Sequence, residues 1–237
     1  MHPVKTIAFD FDDTLVHNET LFVVTQERFH DLLSPYTDAA NVHERLLQRE
    51  IANLHLFGYG IKGFTLSMIE TAIEVTEGKV PIDVIQQIID MGKQMLQHPI
   101  ELLDGVKDTL ESLADDYRLM VITKGDLFDQ ESKVARTGLG DLFWQVDVVS
   151  EKDPESYRRI LERNGVKPTE FLMVGNSIKS DILPVLEIGG RAIHIPYIVT
   201  WAHEDTEAPQ DAGLGFASLG SIAEVPSFLE TLQKAAG

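Results

Sequence analysis

Three aspartates stand together after an apolar segment near the start of the chain. The segment Val4 to Phe9 is mostly apolar and partly β-branched, and Asp10, Asp12 and Asp13 follow it. This pattern predicts a buried strand that ends in an acidic turn. Carboxylates at this spacing repel one another unless a cation or a proton compensates them. Taken alone, however, such aspartates are also typical of turns and helix caps that have no further function.

Other predicted strand ends supply groups that phosphoryl chemistry requires. Thr123 offers a hydroxyl, Lys152 offers a positive charge for a carboxylate and a phosphate oxygen, and Asp181 offers a carboxylate for a hard cation. Charge neutralisation and in-line positioning are most of what phosphoryl transfer needs. The full set of residues therefore favours a chemical site over a simple acidic turn.

The segments that must position these residues predict alternating strands and helices. Short apolar strands are expected at Val4–Phe9, Arg118–Thr123, Val146–Val149, Phe171–Val174 and Arg191–Ile195. Helices are expected at Gly105–Ala114, Leu127–Thr137, Glu155–Asn164 and Ser180–Ile188, before a short final strand and a helix ending at Ala235. This order predicts an α/β fold with a doubly wound, Rossmann-like parallel sheet and a ligand crevice at the carboxyl ends of its strands.

A long stretch after the first strand breaks this alternation. It contains no convincing strand, and amphipathic helical segments are expected at Leu21–Leu33, Ala40–Leu54, Gly63–Val75 and Ile82–Leu96. We expect residues 1–15 and 104–237 to form the α/β core and residues 16–103 to form an inserted helical cap over the active-site edge. A glycine-rich loop from His55 to Lys62 is expected within the cap, and its Tyr59 and Lys62 are candidate substrate-binding residues.

The four motifs, in this order, resemble those of the haloacid dehalogenase superfamily of hydrolases. The opening signature of that family, DxDxT, corresponds to the segment Asp10–Thr14. The threonine of its second motif corresponds to Thr123, the lysine of its third to Lys152 in SEKDPESYRRIL, and its acidic fourth turn to GNSIKSD, which ends at Asp181. DxDxT alone is moderately specific, but four motifs on successive strand ends are a strong signal, and the resemblance spans the whole chain, including the helical cap.

The resemblance implies a role for each matched residue. Asp10 would attack phosphorus and become phosphorylated. Asp12 would protonate the leaving oxygen and later deprotonate the hydrolytic water. Thr123 and the N–H of Lys124 would hold the phosphoryl group, and Lys152 would pair with Asp10 and contact the substrate phosphate.

The resemblance also implies a bound Mg²⁺ ion. Its expected protein ligands are Asp10, Asp12 through its backbone carbonyl, Asp181 and Asn176. Related families commonly have an aspartate where this chain has Asn176, whose amide oxygen carries no charge. Metal binding is therefore expected to rest mainly on Asp10 and Asp181.

Several other activities stay open at this stage. A 2-haloacid dehalogenase would use the same nucleophile without a metal, but it has no leaving alcohol for Asp12 to protonate. A sugar-phosphate mutase would return the phosphoryl group to its substrate, and a phosphonate hydrolase would need a cap lysine, for which Lys62 is a candidate. A non-catalytic binding protein would be expected to lack Asp10, Asp12 or Lys152, and all three are present.

Composition limits the possible binding partners of the protein and its expected cellular location. The 38 acidic and 20 basic residues give a formal net charge of −18, which argues against binding to nucleic acid or to anionic lipid. The absence of cysteine excludes thiolate catalysis and cysteine-ligated metals. We expect a soluble, cytoplasmic monomer or homodimer that acts on a small phosphorylated metabolite, with no nucleic-acid or membrane partner.

Three charged features are expected to be solvated and not catalytic. Lys133 falls on a predicted helix, Lys179 lies near the start of another, and the acidic run from Glu204 to Glu207 resembles an ordinary charged surface. Lys124 lies nearer the predicted site, but its side chain is expected to point outward. His17, Asn18, Glu19, Trp201 and His203 are weaker candidates for the mouth of the site.

Overall fold

A six-stranded parallel sheet forms the centre of the α/β part of the chain. The computed structural model describes residues 3–199, 201–204, 206–207, 209 and 215–236. The strands are β1 Thr6–Phe9, β2 Arg118–Lys124, β3 Gln145–Val149, β4 Phe171–Gly175, β5 Arg191–His194 and β6 Phe216–Ser218. They lie in the order β3-β2-β1-β4-β5-β6, and every neighbouring pair is parallel. The predicted doubly wound α/β fold is therefore confirmed.

The central strand of the sheet is buried on both faces, which explains why its residues Ile7, Ala8 and Phe9 are all apolar. In β1, Ile7 and Phe9 pack into one hydrophobic cluster and Ala8 packs into the other. This alternation follows from the two-residue period of a strand, and parallel sheets covered on both faces need apolar residues at every position.

Helices from the α/β part of the chain supply the other half of each cluster. They are α5 Val106–Ala114, α6 Leu127–Arg136, α7 Pro154–Arg163, α8 Leu183–Glu187 and α9 Val225–Ala236. The helix predicted over Ser180–Ile188 is wrong in its first part, because a π-helical turn at Ile178–Ile182 precedes the short α8. Single π-helical turns are frequent at functional sites.

The chain divides into two compact units, and the α/β unit is the larger. It comprises the described residues of Met1–Glu19, Ile100–Lys124 and Gln130–Gly237. Its sheet order reverses direction at β1, which pairs with β2 on one side and with β4 on the other. Such a switch point opens a crevice at the carboxyl ends of the strands, where ligands bind.

The second unit comprises Thr20–Pro99 and Gly125–Asp129 and is helical. Its helices are α1 Glu19–Leu33, α2 Ala39–Phe57, α3 Ile61–Val75 and α4 Ile82–Gln97. Their apolar faces form a separate core with Phe29, Leu46, Met68 and Ile88 at its centre. The loop predicted from His55 to Lys62 is shorter than expected, because α2 continues to Phe57 and α3 begins at Ile61.

The helices also bear on the expectation that no part of the chain crosses a membrane. Within the described ranges, none of them combines the length and the apolar character that a bilayer span requires.

Candidate active site

Asp10 is the first residue after β1 and lies at the switch point of the sheet. Its backbone N–H donates to the carbonyl of Val174 in β4 at 2.9 Å, so the pairing of the two strands continues through this residue. The side chain is buried, with 7% of the residue exposed. The parallel register therefore holds a carboxylate rigidly at the carboxyl end of the sheet.

Lys152 brings together two carboxylates that are far apart in sequence. Its Nζ lies 2.5 Å from Oδ1 of Asp10 and 2.7 Å from Oδ1 of Asp181. All three side chains are buried. The lysine directly precedes Asp153, which caps α7, and Pro154, which opens it. This capped helix start fixes the backbone that carries Lys152.

The turn after β4 positions Asp181. Its Oδ2 accepts the backbone N–H of Ser177 at 3.0 Å, and Tyr157 from α7 donates its hydroxyl to the carbonyl of Ser180 at 3.1 Å. A Cβ atom on Gly175 would lie only 2.3 Å from Cγ of Asp181. Glycine is therefore required at the end of β4, because any side chain there would displace this carboxylate.

The electrostatics of Asp10 are dominated by burial. Burial raises the pKa of Asp10 to about 7; Lys152 opposes the rise, whereas Asp181 and Asp12 add to it. One lysine shared by two buried carboxylates leaves the cluster short of positive charge. A further cation would favour the ionised form of Asp10.

Asp12 is held by α6, whereas the lysine that pairs with Asp10 precedes the start of α7. Lys133 donates to its Oδ1 at 2.6 Å and Gln130 donates to its Oδ2 at 2.7 Å, both from α6. The prediction that Lys133 is solvated is wrong, because its side chain is only 9% exposed. The predicted exposure of Lys179 is confirmed.

Asp13 shapes the turn between β1 and α1. Its φ of 62° lies in the left-handed region, which aspartate tolerates better than most residues. The carboxylate accepts the backbone N–H groups of Asn18 and Glu19 at 2.9 Å each. Burial raises the pKa of Asp13 to about 8 and that of Glu19 to about 7. We assign Asp13 to the turn and not to the chemistry.

Thr123 and Lys124 end β2, where the sequence predicts the phosphoryl-binding motif. Thr123 is buried. The Lys124 Nζ lies 2.6 Å from the Glu204 carboxylate and 3.0 Å from Oγ of Ser180. Ser177 and Ser180 also donate to Glu204, each at 2.6 Å. The prediction that the run from Glu204 to Glu207 is solvated is therefore wrong for Glu204, and Asp205 lies outside the described residues.

The oxygens near Asp10 fit a hard cation. The hydroxyl of Thr14 lies 3.4 Å from Oδ2 of Asp10 and 3.4 Å from Oδ1 of Asn176. A hydroxyl has one hydrogen, so at least one of these two oxygens keeps spare acceptor capacity. Mg²⁺ prefers oxygen ligands, uses one or two carboxylates and keeps several waters. Among the described residues, however, no group of three or more acidic or histidine side chains is arranged to hold a metal.

The predicted substrate-binding residues Tyr59 and Lys62 belong to the helical unit. Lys62 pairs with Asp126 at 2.8 Å and lies 5.7 Å from the ring centre of Phe128. The backbone at Gly58 and Gly60, on either side of Tyr59, has positive φ. The roles of Tyr59 and Lys62 in binding stay predictions.

Sequence reasoning missed the partners of Asp12 and of Lys124. Gln130 and Lys133 are three residues apart and therefore share one face of α6. A polar pair on the helix that follows the second motif was a usable signal. Glu204 had no such signal, because its partners Lys124, Ser177 and Ser180 precede it by 24 to 80 residues.

The fold and this site define a class of protein: a doubly wound α/β protein with a buried aspartate and its lysine at the switch point. A family model for haloacid dehalogenase-like hydrolases matches residues 4–189, so the chain belongs to that family. The family suggested by the four motifs is thereby confirmed.

Named relatives and solved structures agree with this assignment. The chain is 40% identical to a haloacid dehalogenase-like family hydrolase from Xanthomonas campestris, with a TM-score of 0.87 and coverage of 99% of this chain and 94% of the other. It is 25% identical to a glyceraldehyde 3-phosphate phosphatase of Pyrococcus furiosus, over 100% of this chain and 96% of the relative. It is 23% identical to an N-acylneuraminate-9-phosphatase of Mus musculus, over 97% of this chain and 95% of the relative.

Proposed function

We propose that the chain is a magnesium-dependent phosphatase that hydrolyses a small phosphate monoester through an aspartyl-phosphate on Asp10. The observation that carries this proposal is the contact of 2.5 Å between Lys152 Nζ and the buried Asp10 carboxylate at the switch point of the sheet. Asp12 lies two residues further on and has its own separate cation. The phosphatase names of the relatives support the reaction class.

The first half of the reaction transfers the phosphoryl group to the protein. A carboxylate oxygen of Asp10 forms a bond to phosphorus while the bond from phosphorus to the leaving oxygen breaks. Asp12, protonated at this stage, gives its proton to the leaving oxygen, so an alcohol departs. Lys152 holds Asp10 in place, and Thr123 is positioned at the end of β2 to bind a phosphoryl oxygen.

The second half returns the protein to its starting state. Asp12, now ionised, removes a proton from water as the water oxygen attacks the phosphorus of the aspartyl-phosphate. The bond between Asp10 and phosphorus breaks, inorganic phosphate leaves, and Asp12 again carries its proton. Atoms, charge and protons therefore balance over one turnover.

The residues that would hold Mg²⁺ are Asp10, Asn176, Asp181 and the backbone carbonyl of Asp12. When bound, the cation supplies positive charge that favours ionised Asp10 and shields the phosphoryl oxygens. We also propose that residues 16–103 act as a cap and that Tyr59 and Lys62 contribute to substrate choice.

The test is phosphate release from a panel of phosphorylated metabolites, with and without Mg²⁺. The panel begins with glyceraldehyde 3-phosphate and N-acylneuraminate 9-phosphate, because the named relatives are phosphatases of these compounds. Acid-quenched protein should carry the mass of one phosphoryl group, and Asp10→Asn should fold normally but show neither the added mass nor turnover. Full activity in that variant would disprove the mechanism.

The same assay separates the rival reactions. A mutase would isomerise the substrate without releasing phosphate, and a dehalogenase would release halide from a 2-haloacid without Mg²⁺. Asp12 favours the phosphatase over the dehalogenase, because a proton donor for the leaving oxygen is useful only where an alcohol departs. Only the product assay separates the phosphatase from the mutase.

A further inference from the structure

Two side chains of one helix hold both oxygens of Asp12. Lys133 Nζ lies 2.6 Å from Oδ1, and Gln130 Nε2 lies 2.7 Å from Oδ2. The two residues are one turn apart on α6, so a single rigid element grips the carboxylate from two directions. An aspartate held in this way has little freedom to rotate about its side-chain bonds.

The two holders are themselves anchored. Gln130 Nε2 also donates to the carbonyl of Lys124 at 2.9 Å, and Lys133 Nζ also donates to Oδ1 of Asn18 at 3.2 Å. These bonds link Asp12 to the end of β2 and to the segment before α1. Its position is therefore tied to elements that border the site on both sides.

Burial of these two polar side chains is energetically unfavourable, and helix packing alone does not explain why they are there. Lys133 is a buried lysine, which is unfavourable unless it is paired with an anion. Oε1 of Gln130 is buried and has no hydrogen-bond partner among the described residues. Apolar side chains at both positions would avoid these costs, so what the two polar groups contribute is their contact with Asp12.

The charges around Asp12 show what this contact achieves. Asp10, Asp13 and Glu19 each interact unfavourably with Asp12. Lys133 contributes a positive charge that contacts Asp12 at 2.6 Å and offsets these unfavourable interactions.

We propose that Lys133 and Gln130 are positioning residues that aim the Asp12 carboxyl at the leaving-group oxygen of the substrate. This inference rests on the acid–base role of Asp12 in the proposed function. A misplacement of about 1 Å at a reacting group can cost on the order of 10²-fold in rate. The loss should be greatest for substrates whose departure depends on proton donation.

The experiment compares kcat/KM for an alkyl phosphate and for p-nitrophenyl phosphate in Lys133→Met. An alkoxide is a poor leaving group that needs the proton of Asp12, whereas nitrophenolate leaves without one. We expect kcat/KM to fall by about 10²-fold on the alkyl phosphate and by less than about 10-fold on the nitrophenyl ester. Lys133→Arg should recover part of the loss, and the exposed Lys179→Met is the matched control, which should leave both values unchanged.

Asp12→Asn separates this inference from the function on which it rests. If Lys133 acts through Asp12, adding Lys133→Met to Asp12→Asn should cause no further loss. Equal losses on the two substrates in Lys133→Met would overturn the positioning role, provided that Asp12→Asn still discriminates between them. If Asp12→Asn does not discriminate, the acid–base role itself fails.

Gln130→Met provides the second variant in case Lys133→Met does not fold. It removes one of the two bonds and keeps the charge of Lys133. We expect the same preferential loss on the alkyl phosphate, at about 10-fold. Undiminished activity of Gln130→Met on the alkyl phosphate, with Lys133→Met unfolded, would also overturn the proposal.

Discussion

Two buried lysines among the described residues of the α/β unit, Lys152 and Lys133, compensate negative charge in different ways. Lys152 precedes α7 and is shared between Asp10 and Asp181. Lys133 lies within α6 and, among the carboxylates of the described residues, pairs with Asp12. One lysine therefore serves two carboxylates, and the other serves one.

This difference assigns separate tasks to neighbouring aspartates. The region around Lys152 has an excess negative charge, and burial raises the pKa of Asp10 to about 7. A further cation would offset this negative charge and favour the ionised form of Asp10. Asp12 has a lysine of its own and a hydrogen bond from Gln130, so α6 can orient Asp12 without a metal. Asp10 is suited to a metal-assisted nucleophile and Asp12 to a positioned proton carrier.

Lys152→Met should produce the largest effect of any lysine substitution. It leaves two buried carboxylates without their shared cation, and breaking a buried pair costs about 3–5 kcal/mol. We expect turnover to fall by at least about 10³-fold, beyond the loss in Lys133→Met. Urea unfolding and phosphate release measure the two effects. A loss no greater than that of Lys133→Met would break the contrast between the two regions.

Glu204→Gln tests the ion pair of a third lysine, Lys124. Its carboxylate partner, Glu204, lies 80 residues further along the chain. Burial acts to raise the pKa of Glu204, but the Lys124 ammonium and hydrogen bonds from Ser177 and Ser180 outweigh it and lower the pKa to about 2. The ordinary value is 4.5, so ionised Glu204 stabilises the fold by up to about 3 kcal/mol.

The sign of this effect sets the pH window of the measurement. A lowered pKa gives stability that is present above pH 4.5 and is lost as the pH falls from 4.5 through about 2. Wild type should therefore be more stable than Glu204→Gln at neutral pH, and the gap should close as the pH approaches 2. Thermal unfolding at several pH values measures the gap. A gap that does not change with pH would argue against the ion pair.

Asn176→Asp tests whether Asn176, near the Lys152 cluster, ligates Mg²⁺. If Asn176 ligates Mg²⁺, the added charge should lower the half-saturating Mg²⁺ concentration by about tenfold, which corresponds to about 1.4 kcal/mol. Magnesium titration of activity in the two proteins provides the measurement, and a chelator should abolish turnover in both. Unchanged affinity would mean that Asn176 does not touch the metal.

Lys62→Met should have the smallest effect on stability. Its side chain is 52% exposed, and surface ion pairs such as that with Asp126 contribute about 0–1 kcal/mol. Urea unfolding should therefore barely change. A rise in KM without a change in kcat would support the predicted role of Lys62 in substrate binding, and unchanged kinetics would remove it.

Much of the architecture is predictable from local patterns. Short apolar segments followed by polar residues predicted the five main strands, and helical periodicity predicted α1 to α4 to within a few residues at each end. Boundaries were less accurate where backbone geometry is unusual, as at the π-helical turn of Ile178–Ile182. Local hydrogen bonds and apolar periodicity set these elements, so a short window of sequence carries the information.

The residues of the candidate site also fall into a predictable group and an unpredictable group. Apolar segments in the sequence are enough to place Asp10, Thr123, Lys152 and Asp181 after strands, and parallel pairing brings such strand ends to one edge. The resemblance already implied the pair of Lys152 with Asp10, but the lysine partners of Asp12 and Glu204 could be identified only in the folded chain. The pairs of Lys133 with Asp12 and of Lys124 with Glu204 join residues 121 and 80 positions apart. Such contacts depend on how a helix or loop packs against the sheet. Periodicity can mark a polar helix face, as with Gln130 and Lys133, but it does not say which distant residue that face meets.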